Sequence, residues 1–153
     1  MVFTGTFTRS IDDKQRVAIP KRLRETATGD PSGVLYVAPG TDGSLALYTE
    51  EALERLAERL AGASPTQHDV RAFMRLFYSR AERVQLDRQG RIRIPAVLVA
   101  LTQMEEEQEV VLLGVQDHME LWSPTRWEHY LREKQAHYDE IAEAALTNPS
   151  PAR

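Results

Sequence analysis

The chain has no cysteine. That excludes disulfides, thiolate zinc sites and cysteine nucleophiles, and it fits a reducing compartment. Aromatic residues make up only 7%, and no apolar run approaches the roughly 18 residues that a membrane helix needs. The opening Met1-Val2-Phe3-Thr4-Gly5 has neither a basic start nor an apolar signal core, so the expectation is a soluble cytoplasmic protein. Catalytic signatures are missing too. There is no G-x-x-x-x-G-K-[ST] phosphate loop and no G-x-G-x-x-G, and the serines stand in no nucleophile-elbow or Ser-x-x-Lys context. No enzyme and no cofactor are expected.

What is present is ordinary globular material: 153 residues, 42% apolar and 27% charged, enough for one domain or two small ones. The net charge of −4 and pI near 5.6 argue against a nucleic-acid partner until the distribution is inspected. Two windows, 9–24 and 80–95, hold eleven cations against four carboxylates, whereas the rest of the chain holds eight against nineteen. A polyanion responds to the local patch within a Debye length of about 8–10 Å, not to the total.

The two basic windows are copies. Ile11-Asp12-Asp13-Lys14-Gln15-Arg16-Val17-Ala18-Ile19-Pro20 and Leu86-Asp87-Arg88-Gln89-Gly90-Arg91-Ile92-Arg93-Ile94-Pro95 align without a gap at an offset of 75 residues. Asp12, Arg16 and Pro20 meet Asp87, Arg91 and Pro95. Two copies are too few for a solenoid. They suggest an intramolecular pseudo-dimer in which each half completes the other's core. Strands are expected at 17–19, 34–38, 45–48, 92–94, 110–114 and 119–122. Three helices are expected. One runs over 50–61, capped by Thr49, with Leu53, Leu56, Ala57 and Leu60 on one face. The next starts at a capping box, Ser64-Pro65-Thr66-Gln67, and its apolar face is Val70, Phe73, Met74 and Phe77. The third runs from Ser123-Pro124 to about Ala145. Phe3 and Phe7 make the N-terminal segment an apolar strand edge that wants a partner, either the second copy or a neighbouring subunit.

The repeated loop presents Lys14 and Arg16, or Arg88 and Arg91, just before a strand. Cations on a rigid two-stranded ribbon suit the major groove, where arginine reaches phosphates or bonds guanine bidentately. Asp12 pairing with Arg16, and Asp87 with Arg91, would pin the turns; the aspartates are read as structural, since an exposed carboxylate would repel phosphate. Residues His129, Glu133 and His137 share a helical face, but a solvated stripe is far commoner than a metal site, and no metal is expected. His68 and His118 are expected to be unremarkable cap and turn residues, and Glu105-Glu106-Glu107 a solvated loop.

The D-x-K-x-R-[VI]-x-I-P loop at Asp12 to Pro20 and its second copy at Asp87 to Pro95 resemble those of the MraZ family of bacterial transcriptional regulators of the division and cell-wall gene cluster. Arg75-Leu76-Phe77-Tyr78-Ser79-Arg80-Ala81-Glu82 and Leu121-Trp122 support the match. The resemblance covers nearly the whole chain. It implies an α+β fold: a double-β, swapped-hairpin (AbrB-like) barrel formed by two internal repeats, with packed helices and a C-terminal helix. The repeats would span 1–62 and 81–146, joined by a linking helix at 63–80 and followed by a disordered tail at 147–153. It further implies a ring-like homo-oligomer in the cytoplasm, associated with the nucleoid, that binds double-stranded DNA at promoter direct repeats. Repression is the family-based expectation, and no membrane association is.

Carried onto this chain, the implied contacts are Lys14, Gln15 and Arg16, with Arg88, Gly90 and Arg91 as partial counterparts. Gln15 stands where the family has Gly, a cost of roughly 1 kcal/mol if the turn stays left-handed. Gln89 stands where Lys is expected. The first copy is therefore expected to be the main reader, flanked by Arg9, Lys21, Arg22 and Arg24, and the second mainly to complete the barrel. Two other readings remain: a protein-interaction module working through its acidic helices, and a structural oligomer whose basic loops are interface salt bridges.

Overall fold

The computed structural model describes residues 2–27, 33–64 and 66–147. Pro65 and the tail beyond Thr147 lie outside the described residues. In chain order the elements are β1 (Thr6–Ser10), β2 (Arg16–Ala18), α1 (Lys21–Thr26), β3 (Val34–Pro39), β4 (Leu45–Tyr48), α2 (Glu50–Ala61) and α3 (His68–Tyr78). They continue with β5 (Glu82–Gln85), β6 (Arg91–Arg93), α4 (Ala96–Leu101), β7 (Glu109–Val115), β8 (His118–Trp122), α5 (Pro124–Gln135) and α6 (Tyr138–Thr147).

The fold is mixed α+β. One antiparallel sheet of six strands runs β1-β7-β8-β4-β3-β5, and β2 and β6 form a separate antiparallel ribbon. The six-strand order is its own mirror image under exchange of the repeats. Hairpins β3–β4 and β7–β8 meet at the β4–β8 pair, with Leu45 opposite Leu121. Outside them each repeat lends its first strand to the other: β1 pairs with β7, and β5 pairs with β3.

The core repeats in the same way. Val17 and Ile92, Ile19 and Ile94, Leu23 and Leu98, Leu35 and Val110, and Val37 and Leu112 all stand 75 residues apart, and all are buried in one cluster. Fully burying one such side chain contributes about 1.5–3 kcal/mol. This burial holds the ribbon in place, because two strands of three residues each are not stable alone.

The N-terminal segment finds its partner in the second repeat. Phe3 is buried and exchanges backbone bonds with Gln116 at 2.8 and 2.9 Å. Gly114 is what allows the approach: a Cβ there would stand 2.7 Å from the carbonyl carbon of Phe3 and would overlap the backbone nitrogen of Thr4.

Helix α2 starts and stops where expected, with the Thr49 hydroxyl accepting from Ala52 N at 3.1 Å. Helix α3 does not begin at the expected box. The Ser64 hydroxyl is used within the preceding turn, 2.7 Å from Thr66 Oγ1, and the helix begins at His68 without a side-chain cap. Of its expected apolar face only Phe77 is buried; Phe73 and Met74 are 42% and 39% exposed. The expected single C-terminal helix is two. His137 N bonds Lys134 O, three residues back, at 3.0 Å, and this tight turn separates α5 from α6. Trp122 at the end of β8 packs against Trp127 and Tyr130 of α5.

Helices α1 and α4 and strand β5 were not foreseen. Each short helix has six residues behind a proline N-cap and shows no full apolar period, with only Leu23 buried in α1. Strand β5 has one apolar residue, Val84, in four. Among the described residues no helix is long and apolar enough to cross a membrane.

Candidate nucleic-acid interface

Each basic loop is a tight turn built around its aspartate. Asp12 Oδ1 accepts from Lys14 N at 2.9 Å and from Arg16 N at 2.8 Å, and Oδ2 accepts from Arg16 Nε at 2.7 Å. Asp87 repeats the set, accepting from Gln89 N and Arg91 N at 2.8 and 2.9 Å and from Arg91 Nε at 2.9 Å. The backbones match as well: Gln15 N donates to Asp12 O, and Gly90 N to Asp87 O. Both carboxyls are held below the usual range, first by the hydrogen bond from the arginine's backbone N–H and then by its side chain. They are anions that hold the arginines through Nε.

Gln15 takes the left-handed conformation at φ 63°, as Gly90 does at 76°. The turn does not change to suit the glutamine. The bonds to Asp12 hold it, and the conformational cost is absorbed.

The two loops lie at opposite ends of one ribbon. In the β2–β6 ladder Arg16 is opposite Arg93, Val17 opposite Ile92, and Ala18 opposite Arg91. Val17 and Ile92 point into the core. Alternation therefore turns Arg16, Ala18, Arg91 and Arg93 to the other face. Lys14 and Arg88 stand in the loops that enter the ribbon at its two ends, beside Asp12, Asp13 and Asp87 in sequence. Both turns are built alike around their aspartates, whereas the ribbon positions opposite Arg16 and Arg91 differ, Arg93 in one case and Ala18 in the other.

The flanking cations sort differently from their order in sequence. Arg24 bonds the carbonyl of Ile19 at 3.0 Å through Nε, and its guanidinium lies over Gly90, so it stands beside the second loop and not the first. The antiparallel ribbon is the reason: the chain leaving β2 runs past the start of β6, and Ile19 N bonds Gly90 O at 2.9 Å. Arg9 and Arg22 form a separate group around the Phe7 ring, at 5.6 and 5.2 Å. Arg22 also bonds Thr4 O at 3.1 Å. Lys21 is exposed on α1, 3.8 Å from Glu25.

Arg93 was not singled out from the sequence. Its signal was there: the position between Ile92 and Ile94 corresponds to Ala18, and only a pairing of the two copies turns it toward Arg16. Nor is His118 unremarkable. Its ring nitrogens meet Asp117 at 2.7 Å and Glu120 at 3.0 Å, and Tyr48 stacks on it. The bonds to Glu120 and Asp117 raise its pKa against the opposing effect of burial. The helical trio does not converge: His129 stands 3.4 Å from Glu133, whereas His137 turns to Glu140 at 3.0 Å. His68 is exposed beside Asp69.

Residues 2–76 and 77–148 each match the family described as "MraZ protein, putative antitoxin-like". Among curated relatives, the "Transcriptional regulator MraZ" of Moorella thermoacetica is 38% identical over 93% of this chain and 95% of its own length. The protein of the same name from Thermomicrobium roseum is 42% identical over 82% of this chain and 84% of its own. That of Heliobacterium modesticaldum is 38% identical over 95% and 97%.

Proposed function

This chain belongs to the MraZ family, and from that we infer that it is a transcriptional regulator that binds double-stranded DNA through the β2–β6 ribbon and its two loops. The observation that carries the reading is that the ribbon turns Arg16, Arg91 and Arg93 to one face, with Lys14 and Arg88 in the loops at its two ends, although the chain as a whole is acidic. The aspartates set the arginines, and the buried Val17 and Ile92 keep the platform rigid. A preformed cationic ribbon loses little conformational entropy on binding.

The finer reading follows the family. The sheet and ribbon are taken as a swapped-hairpin double-β barrel, with repeats at 1–62 and 81–146 joined by the helix at 63–80. Several copies in a ring would present identical ribbons to tandem promoter repeats upstream of division and cell-wall genes, in the cytoplasm and on the nucleoid, and would repress them. Linked modules raise affinity through effective concentration, so modest binding at each ribbon suffices. A second reading, a protein-docking module, draws on the exposed Phe73, Met74 and Leu76 of α3.

The test is fluorescence anisotropy with a labelled duplex from immediately upstream of the protein's own gene, a scrambled duplex and two salt concentrations. The reading expects preference for the native duplex and a steep loss of affinity with salt. It expects Arg16→Ala to lose binding while light scattering shows an unchanged oligomer. Absence of binding to either duplex at low salt overturns it in favour of the docking module. An oligomer broken by Arg16→Ala makes the loop an interface instead.

A further inference from the structure

We propose that Arg93, a residue of the second repeat, completes the contact site of the first loop. The proposal rests on the DNA-binding reading above and assigns a specific residue to it. The register puts Arg93 directly across from Arg16. The pair is flanked by the bond from Ile94 N to Gln15 O, at 2.8 Å. It is therefore a non-hydrogen-bonded pair, the kind in which opposed side chains stand closest. Its position is set by strand register and not by a flexible loop.

The two ends of the ribbon are not equivalent. By the internal symmetry, the place of Arg93 is taken at the other end by Ala18, across from Arg91. The first-loop end thus holds three cations, Lys14, Arg16 and Arg93. The second-loop end holds Arg88 and Arg91, and the Arg24 beside them has its Nε bonded to Ile19 O.

Arg16 and Arg93 also differ in what remains free. Arg16 has Nε engaged with Asp12. Arg93 is exposed and makes no hydrogen bond or ion pair among the described residues, so its whole donor fork is available to a phosphate or to a guanine edge. Like charges directly opposite one another on a ladder are unfavourable, and Asp12 is already bonded to Arg16. An external polyanion relieves this repulsion. The asymmetry gives each chain a polarity on its site, with the stronger end built jointly by the two repeats.

The experiment uses the full-length protein and the upstream duplex, with Arg93→Ala, Arg16→Ala and the double variant compared with wild type. Arg93→Ala is expected to weaken binding roughly tenfold and to take about one unit off the slope of log K against log salt. The double variant is expected to lose less than the product of the two single losses, because the residues share one site. Without DNA, Arg93→Ala is expected to unfold at a urea concentration no lower than wild type, which separates lost contact from lost fold. If Arg93→Ala binds as wild type with the same slope while Arg16→Ala loses binding, the proposal falls and the DNA reading stands. Strictly multiplicative losses place Arg93 in a different contact and also overturn it. If wild type binds neither the native nor a scrambled duplex, the reading on which the proposal rests has failed.

Discussion

Gln15 and Gly90, 75 residues apart, hold the same left-handed position in two turns with the same hydrogen bonds, one with a side chain and one without. The aspartate at the head of each turn, and not the residue at its tightest point, therefore dictates the backbone.

That relation makes the glutamine a local cost. Gln15→Gly is expected to stabilise the protein by about 0.5–1 kcal/mol, the relief of a left-handed side chain less the added freedom of glycine in the unfolded chain. Gly90→Ala is expected to destabilise by about 1–2 kcal/mol, since its Cβ would also stand 2.8 Å from the Arg24 guanidinium. Urea midpoints of the two variants should move in opposite directions.

Acid should act on the same turns. The carboxyls of Asp12 and Asp87 are depressed by bonds that exist only in the fold. Their contribution is complete above the ordinary carboxyl range, near pH 4, and is lost as pH falls through the folded values. The double variant Asp12→Asn/Asp87→Asn should be less stable at neutral pH and should lose less of its stability on acidification. Parallel acid limbs for variant and wild type would refute this.

His118 has the opposite sign. Bonds to Glu120 and Asp117 raise its pKa, so its contribution is complete below the ordinary imidazole value, near 6.5, and fades as pH rises through the folded value. The imidazole resonances should titrate above the usual range in an NMR series. The stability gap between wild type and His118→Gln should be wider at pH 6 than at pH 9.

Gly114→Ala tests the seating of the N-terminal segment. Its methyl group would meet the backbone of Phe3 and Thr4, which cannot rotate away as a side chain can. A loss of about 2 kcal/mol in urea unfolding is expected. An unaffected midpoint would mean that the segment lifts off β7 at little cost.

The repeated loop was legible because it is short and local. Its Asp–Arg pinning, the Thr49 and Ser123 caps and the strand at Leu45–Tyr48 follow from residues within a few positions of one another. Strand pairing between the repeats is a relation between distant residues, and the surroundings of Arg24 and Arg93 depend on it. Neighbours in sequence were therefore read as neighbours in space, which an antiparallel ribbon reverses. Helices α1 and α4 escaped for another reason: six residues with one or two buried positions leave no period to detect. Nothing in the local pattern of α5–α6 distinguishes one long helix from two, because Ala136 and His137 are compatible with either.

The exchange of outer strands has a consequence for synthesis. On a ribosome, β1 and β2 emerge early, but their partners β7 and β6 lie at 109–115 and 91–93. Until most of the message has been translated, Val17 and Phe3 have no completed core to enter, and β1 is an unpaired edge open to other chains. A nascent or prematurely terminated product therefore lacks the basic face altogether, because that face comes into being only when the second half closes over the first. Such a fold is dominated by distant pairings and belongs among the slower folders.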